Sequence, residues 1–374
     1  MTIYLDCNAT APISPSVSAL VTHYMCEEFG NAGSRTHEFG LKAKQAVEKA
    51  RGQVASLADA DSGEVFFTSG ATESNNIAIL GLRAEAAKSG KKHIITTSIE
   101  HKAVLEPIDY LAKNGFDVTY LKVNKSGIVD PTDLRKALRE DTLLVSIMHI
   151  NNETGSIQPI SEFCNVLADH SAYFHIDAAQ GYGKYPEELT NKRIDMLSVS
   201  GHKLYAPKGI GALIIRRRDF VKIPLEPLMF GGGQEKGLRP GTLPVALIVG
   251  LGLACFEAQE KYLEWREKCQ KIKSSLLDTL LPLGAKVNGE NTASHVLNIS
   301  IPHVNSEAAM VALKGIVAVS NGSACTSQNY TASHVLEAMG CDEERIDGAI
   351  RISWCHMTES LPLDIIFEKI QGLL

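Results

Sequence analysis

The sequence predicts an α/β fold: a large, mostly parallel sheet with helices on both faces, followed by a smaller α+β unit. Three observations carry this. Short β-rich apolar runs alternate with helical stretches through the first part of the chain. Near residue 242 the texture changes to one or two long helices. The remainder, about 285–374, returns to shorter strands and helices. The chain has 374 residues, 44% hydrophobic and 21% charged. That suits a soluble protein of two or three domains at ~150 residues each, with a large core to bury.

Taken in order, the strands are "EVFFTSG", "HIITTSIE", "VTYLKV", "LLVSIMHI", "AYFHIDAA", "DMLSVSG" and "GALIIRR". Between most of them lie helices. "NNIAILGLRAEAAKSG" has apolar residues at three-and-four spacing and stops at Gly90. "DPTDLRKALRE" opens with Asp130 as N-cap and Pro131 at the first helical position. "TLPVALIVGLGLACFEAQEKYLEWREKCQKIKSSLLDTLL" supplies the long helical stretch. After it come the strands "SHVLNISI" and "AIRISWC" and the helices "SEAAMVALKG" and "ASHVLEAMG".

A net charge of −6 lacks the basic excess of a nucleic-acid binder, so no direct nucleic-acid contact is expected. Arg216, Arg217 and Arg218 read as a solvated strand end. "MTIYLDCNATAP" has neither a basic region nor an apolar one of signal type, and the longest apolar runs are strand-length. A cytoplasmic protein is expected. None of the eight cysteines makes a C-x-x-C pair and no His pair has zinc spacing, so no metal is expected. Without export, disulfides are not expected either. Most of the thiols read as small buried hydrophobes.

In open α/β sheets ligands bind at the carboxyl ends of the strands. After "EVFFT", Ser69-Gly70-Ala71-Thr72 turns into a helix whose free N–H groups offer either a phosphate site or an ordinary cap. Asp177 ends "AYFHID" as a cap or as the partner of a buried cation, three residues before Gln180. Lys203 follows a strand beside Ser200, Gly201 and His202, where desolvation lowers a lysine's pKa and suits it to a Schiff base. His101, Asn151 and Asn152 end other strands. Together these features supply what pyridoxal 5'-phosphate needs: a phosphate anchor, a carboxylate for the pyridine nitrogen and a lysine. Cys325, in "SNGSACTS", lies among small residues and is a thiol with room to move.

The segments "YLDCNATAP", "GNAGSRTHEFG", "FTSGATESNNIAI", "EHKAVL", "HINNETG", "HIDAAQ", "SGHKLYAPKGIGAL", "GGGQEKGLRPGTLPV" and "SNGSACTS" resemble the cysteine desulfurases of the class V aminotransferase group. The pair "SGHK" and "SNGSACTS" is similar to the iron–sulfur-assembly type. The resemblance covers nearly the whole chain. It implies a fold-type-I homodimer with sites between subunits. Residues 15–255 would form the large cofactor-binding domain. Residues 1–14 and 256–374 would form the small α+β domain with the Cys325 loop.

By the same resemblance Lys203 holds pyridoxal phosphate and moves the substrate Cα proton. Asp177 pairs with the pyridine nitrogen, Gln180 with the phenolic oxygen, and His101 stacks on the ring. Ala71, Thr72, Ser200 and His202 bind the phosphate, and Thr242 reaches that of the partner subunit. Asn152 and Arg351 hold the substrate carboxylate, with Asn31 close by. Cys325 is the nucleophile that takes sulfur from L-cysteine and passes it to an acceptor protein.

Three stretches depart from the pattern. Cys7 replaces an aromatic or polar residue, "RISWCHMT" follows Arg351 where a glycine and an aromatic are usual, and "QNYTASHVL" follows Cys325. The acceptor is left open among iron–sulfur scaffolds, tRNA-thiolation proteins and DNA-phosphorothioation proteins. Selenocysteine lyase or another class V enzyme is the alternative on the same motifs. Retention of Lys203, Asp177 and Cys325 together argues against a non-catalytic scaffold.

Overall fold

The computed structural model describes residues 2–218, 220–321 and 332–374. Gly322 and Cys325 lie outside them. The described strands are, in chain order, β1 (Ile3–Tyr4), β2 (Val65–Thr68), β3 (His93–Thr97), β4 (Asp117–Leu121), β5 (Thr142–Met148) and β6 (Tyr173–Asp177). They continue with β7 (Met196–Ser200), β8 (Gly211–Ile215), β9 (Lys286–Val287), β10 (Val296–Ser300), β11 (Val317–Ala318) and β12 (Ala349–Ser353).

Strands β2 to β8 form one seven-stranded sheet in the order β2-β8-β7-β6-β5-β3-β4. Only β8 runs against its neighbours, β2 and β7. β5, β7 and β8 are buried at every residue, as strands covered by helices on both faces must be. Their few inward polar groups are paired. His175 bridges Ser146 (2.8 Å) and Ser198 (2.9 Å), and burial lowers its pKa to about 4, keeping the ring neutral.

From β3 the chain steps outward to β4, then returns to β5 on the other side of β3. The strand order therefore reverses between β3 and β5, and a crevice opens at the carboxyl ends there. Glu100 clamps this seam. Its Oε1 accepts from Thr97 Oγ1 at 2.7 Å and from the Met148 N–H at 2.8 Å, joining the end of β3 to the end of β5.

A second sheet, β12-β10-β9, is antiparallel and packs around its own apolar cluster. The helix Val245–Leu280 connects the two cores as one continuous element of 36 residues. Its Ile248, Val249, Leu251 and Ala254 join the large core, and its Cys269, Leu276 and Leu280 join the smaller one.

Two local expectations differ. The helical stretch ending at Gly90 is two helices, Ala71–Leu80 and Arg83–Ser89. The chain turns at Gly81, whose carbonyl accepts from the Glu226 N–H at 2.8 Å; a Cβ there would lie 2.4 Å from Ile77 O. Of the arginine run, only Arg217 is the exposed strand end expected. Arg216 is buried and donates to the carbonyls of Ala58, Leu189, Asn191 and Ile194, while Arg218 pairs with Asp195. The Asp130 cap is as expected, accepting from the Thr132 N–H at 2.7 Å. No helix among the described residues is long and apolar enough to cross a membrane.

Candidate active site

The crevice at the β3/β5 reversal deepens into a cavity of about 590 Å³. It collects ten of the expected residues: Ala71, Thr72, His101, Asn152, Asp177, Gln180, Ser200, His202, Lys203 and Arg351. Most stand at or just beyond strand ends. Asp177 is the last residue of β6, Ser200 the last of β7, and His101 and Asn152 follow β3 and β5.

One end of the cavity is the start of the helix Ala71–Leu80. The turn before it packs directly on β8, where only a glycine fits: a Cβ on Gly211 would sit 2.6 Å from Gly70 Cα. Glu73 fixes the turn: its carboxylate accepts from the Ser69 N–H at 2.6 Å and from Arg239 Nε at 2.8 Å. Burial pushes that carboxyl up, but the bonds from Arg239 and Ser69 outweigh it and hold it below its ordinary range. The Arg239 bond also ties the loop preceding Thr242 to this helix. His202 completes the end, with Nδ1 3.1 Å from Thr10 Oγ1. Burial, then the cations Lys203, Lys208 and Lys184, lower its pKa to about 4, so it is neutral at physiological pH.

The middle of the cavity holds the two charges. Asp177 accepts from Asn75 Nδ2 at 2.8 Å and from the Ala179 N–H at 3.0 Å, which leaves a buried, oriented anion. Lys203 Nζ donates to the carbonyl of Ala9 at 2.7 Å and to that of Asn8. His101 Nδ1 accepts from the Ala103 N–H at 3.1 Å, which places the ring proton on Nε2. Burial lowers its pKa, opposed by Asp177 and reinforced by Lys203. A neutral flat ring results.

The other end is long-range. Arg351 on β12 is buried and pairs through Nη2 with Asp6 Oδ1 at 2.7 Å, while Nη1 donates to Asn152 O at 3.1 Å. Its Nε has no partner among the described residues. The segment that follows the undescribed stretch is fastened at this end too. Ser333 Oγ donates to Glu153 Oε2 at 2.5 Å, and His334 Nε2 bonds Glu100 O at 3.0 Å.

The cavity fits pyridoxal phosphate on its own observations. Three lining residues keep a buried acceptor without a partner among the described residues: Asn8 Oδ1, Asn75 Oδ1 and Gln180 Oε1. Such atoms are costly unless a bound group completes them. An anion at mid-cavity suits a protonated ring nitrogen, and helix N–H groups at one end suit a phosphate.

Thr242 and Asn31 are exposed and do not line this cavity. Asn31 Oδ1 instead accepts from the Gly33 N–H at 2.8 Å. Cys325 lies outside the described residues. Sequence reasoning missed Asp6, Asn8 and Asn75. Asn75 had a signal, being one helical turn beyond Ala71. Asp6 and Asn8 lie within "YLDCNATAP", but their partners are too distant in sequence to be read.

The aminotransferase class-V profile matches residues 3–364. The cysteine desulfurase IscS of Vibrio campbellii is 45% identical over 99% of this chain and 92% of its own. A solved NifS-like protein superposes with a TM-score of 0.91 at 38% identity, covering 100% of this chain and 99% of its own. SspA, solved in complex with cysteine, gives a TM-score of 0.82 at 38% identity, over 94% of this chain and 98% of its own. With the fold and cavity described above, the chain is a pyridoxal-phosphate-dependent enzyme of fold type I. It belongs to the aminotransferase class-V family, and within it to the cysteine desulfurases.

Proposed function

We propose that this cavity converts L-cysteine to L-alanine and leaves the sulfur as a persulfide on Cys325. The observation that carries the reading is the convergence of Lys203, Asp177 and Arg351 on one cavity. Pyridoxal phosphate, when bound, supplies an electron sink for charge at the substrate Cα. Lys203 would hold it and carry the Cα proton. Asp177, kept in place by Asn75, would serve its ring nitrogen, and Gln180 its phenolic oxygen. Neutral His101 would cover the ring, and Ala71, Thr72, Ser200 and His202 would take the phosphate. Arg351 receives the substrate carboxylate through its planar fork, with Asn152 beside it.

Cys325 then takes the sulfur: the substrate Cβ–S bond breaks, an S–S bond forms, and alanine leaves. One L-cysteine and one thiol become one L-alanine and one persulfide. A Cys325→Ser protein is expected to keep the visible absorption of bound cofactor and to form no persulfide. Persulfide formed at the normal rate in that variant would sink the assignment.

The active unit is a homodimer on this reading. Exposed apolar side chains, Phe29, Phe39, Leu41 and Phe230, support it, as does the position of Thr242 outside its own cavity. Light scattering should give twice the chain mass; a monomer retaining full activity would refute it. The protein is cytoplasmic, and its persulfide goes to an acceptor protein. Iron–sulfur scaffolds, tRNA-thiolation proteins and DNA-phosphorothioation proteins all suit this chemistry, and capture with the persulfidated enzyme identifies which is served.

A further inference from the structure

The loop that carries Lys203 holds a backbone conformation that its own residues do not favour. Tyr205, two positions beyond Lys203, has a φ of +62°. A bulky side chain adopts this left-handed region only where its surroundings impose it. The backbone here is pinned along the N-terminal segment. The Ser14 N–H donates to Tyr205 O at 3.0 Å, and the Ala11 N–H to His202 O at 2.8 Å. The Tyr205 side chain points away into the interior and is buried.

Two rings from distant elements receive it. Trp265, on the helix Val245–Leu280, and His356, just beyond β12, stack with centroids 4.0 Å apart and planes 4° from parallel. Tyr205 stands edge-on to both. Its centroid is 5.2 Å from that of Trp265 at 90°, and 4.6 Å from that of His356 at 87°. Edge-to-face contacts are directional, so they set the tilt of the Tyr205 ring as well as its burial. His356 acts here through its flat face. Its Nδ1 is buried with no partner among the described residues. Burial, then Lys268, lowers its pKa to about 4 against the pull of Glu264, so the ring is uncharged. His356 also stands in "RISWCHMT", a stretch that departs from the family pattern.

We propose that His356 is a positioning residue for the reaction at Lys203. Backed by Trp265, its ring holds Tyr205 in the left-handed conformation, and that conformation sets the direction in which the Lys203 side chain leaves the loop. This role rests on Lys203 holding the cofactor and moving the Cα proton.

Without a flat ring at position 356, Tyr205 gains room to turn and its backbone relaxes toward the negative φ that tyrosine prefers. Lys203 then stays on the same loop but loses its aim. Misplacing a proton-transferring group costs rate rather than binding. Arg351 keeps its own partners, Asp6 and Asn152. The loss should therefore fall on kcat and leave KM for L-cysteine nearly unchanged.

Two variants of the full-length holoenzyme test this: His356→Leu, which fills the space without a flat ring, and His356→Phe, which keeps one. His356→Leu should lower kcat for alanine formation ~10- to 100-fold with KM within about twofold. His356→Phe should return kcat to within about twofold of the wild type. A second readout needs no turnover. Hydroxylamine competes with Lys203 for the cofactor and bleaches its visible band. Bleaching should be ~10-fold faster in His356→Leu, because a misaimed lysine recaptures the cofactor less often. In His356→Phe it should match the wild type. Bleaching reports only folded, cofactor-loaded molecules, so partial unfolding of a variant does not imitate the effect. Normal kcat and normal bleaching in His356→Leu overturn the proposal. So does a His356→Phe enzyme as impaired as His356→Leu. Loss of the band in Lys203→Ala beside a normal His356→Leu fails this role alone, whereas a band that survives Lys203→Ala fails the reading of Lys203 and this role with it.

Discussion

The two ends of the cavity are built differently. The cofactor end is local: Ser69 to Thr72 and Ser200 to Lys203 each leave a strand and present their groups within a few residues. Backbone and fixed neutral rings do the holding there. The substrate end is assembled from the chain's extremities, and its central element is an ion pair, Arg351 with Asp6, spanning 345 residues. A buried arginine needs a partner before substrate arrives. Asp6 fills that need, and Arg351 Nε keeps no partner among the described residues. The first end is preorganised by secondary structure, and the second by charge.

That contrast is tested most severely by Lys203→Ala. It should remove the cofactor's covalent attachment and its visible band, and lower alanine formation by ~10³-fold or more. The spectrum and the alanine assay read it. A variant that kept the band would show that the cofactor end does not depend on this lysine.

Arg351→Lys acts on the other end alone. The charge opposite Asp6 is kept and the fork is lost. KM for L-cysteine should rise about 10- to 100-fold, the cost of one or two charged hydrogen bonds, with a smaller change in kcat. Steady-state kinetics separates the two. A kcat loss with unchanged KM would mean that Arg351 serves the cofactor end instead.

The smallest effect belongs to Glu100, at the seam. Burial, then Asp177, raises its pKa from 4.5 to about 8 although Thr97 and Met148 donate to it. The folded protein therefore keeps a proton that the unfolded chain releases above pH 4.5. This group's stabilisation is full below that pH and is lost as pH rises through about 8. Glu100→Gln keeps a neutral acceptor and offers an N–H₂ in place of Oε2, which has no partner among the described residues. Its melting temperature should fall less between pH 5 and pH 8 than that of the wild type, as calorimetry would show. Parallel pH profiles would mean that Glu100 is ionised throughout.

The same contrast explains what could be read in advance. His101, Asp177 and Lys203 were legible because a strand's apolar run locates its end, and the end locates the ligand. The Asp130 cap was legible because capping is decided within three residues. Asp6 and Asn8 were not, since their contacts follow from how the first and last strands meet. Arg216 was misread for a related reason. Its four carbonyl partners come from residues 58 and 189–194, and no local feature announces them. Gly81 broke a helix that periodicity alone would continue, because a distant loop at Glu226 claims its carbonyl.

The unbroken helix Val245–Leu280 has a consequence of its own. At 1.5 Å per residue its 36 residues span ~54 Å, and each residue added or removed turns everything beyond it by ~100°. Its two halves are buried in different cores. The count of residues between Ala258 and Cys269 is therefore a phase setting. An insertion there, however soluble its side chain, would swing Leu276 and Leu280 away from the sheet that carries Arg351. The helix is a ruler with an angular scale, and the distance from Lys203 to Arg351 is marked on it.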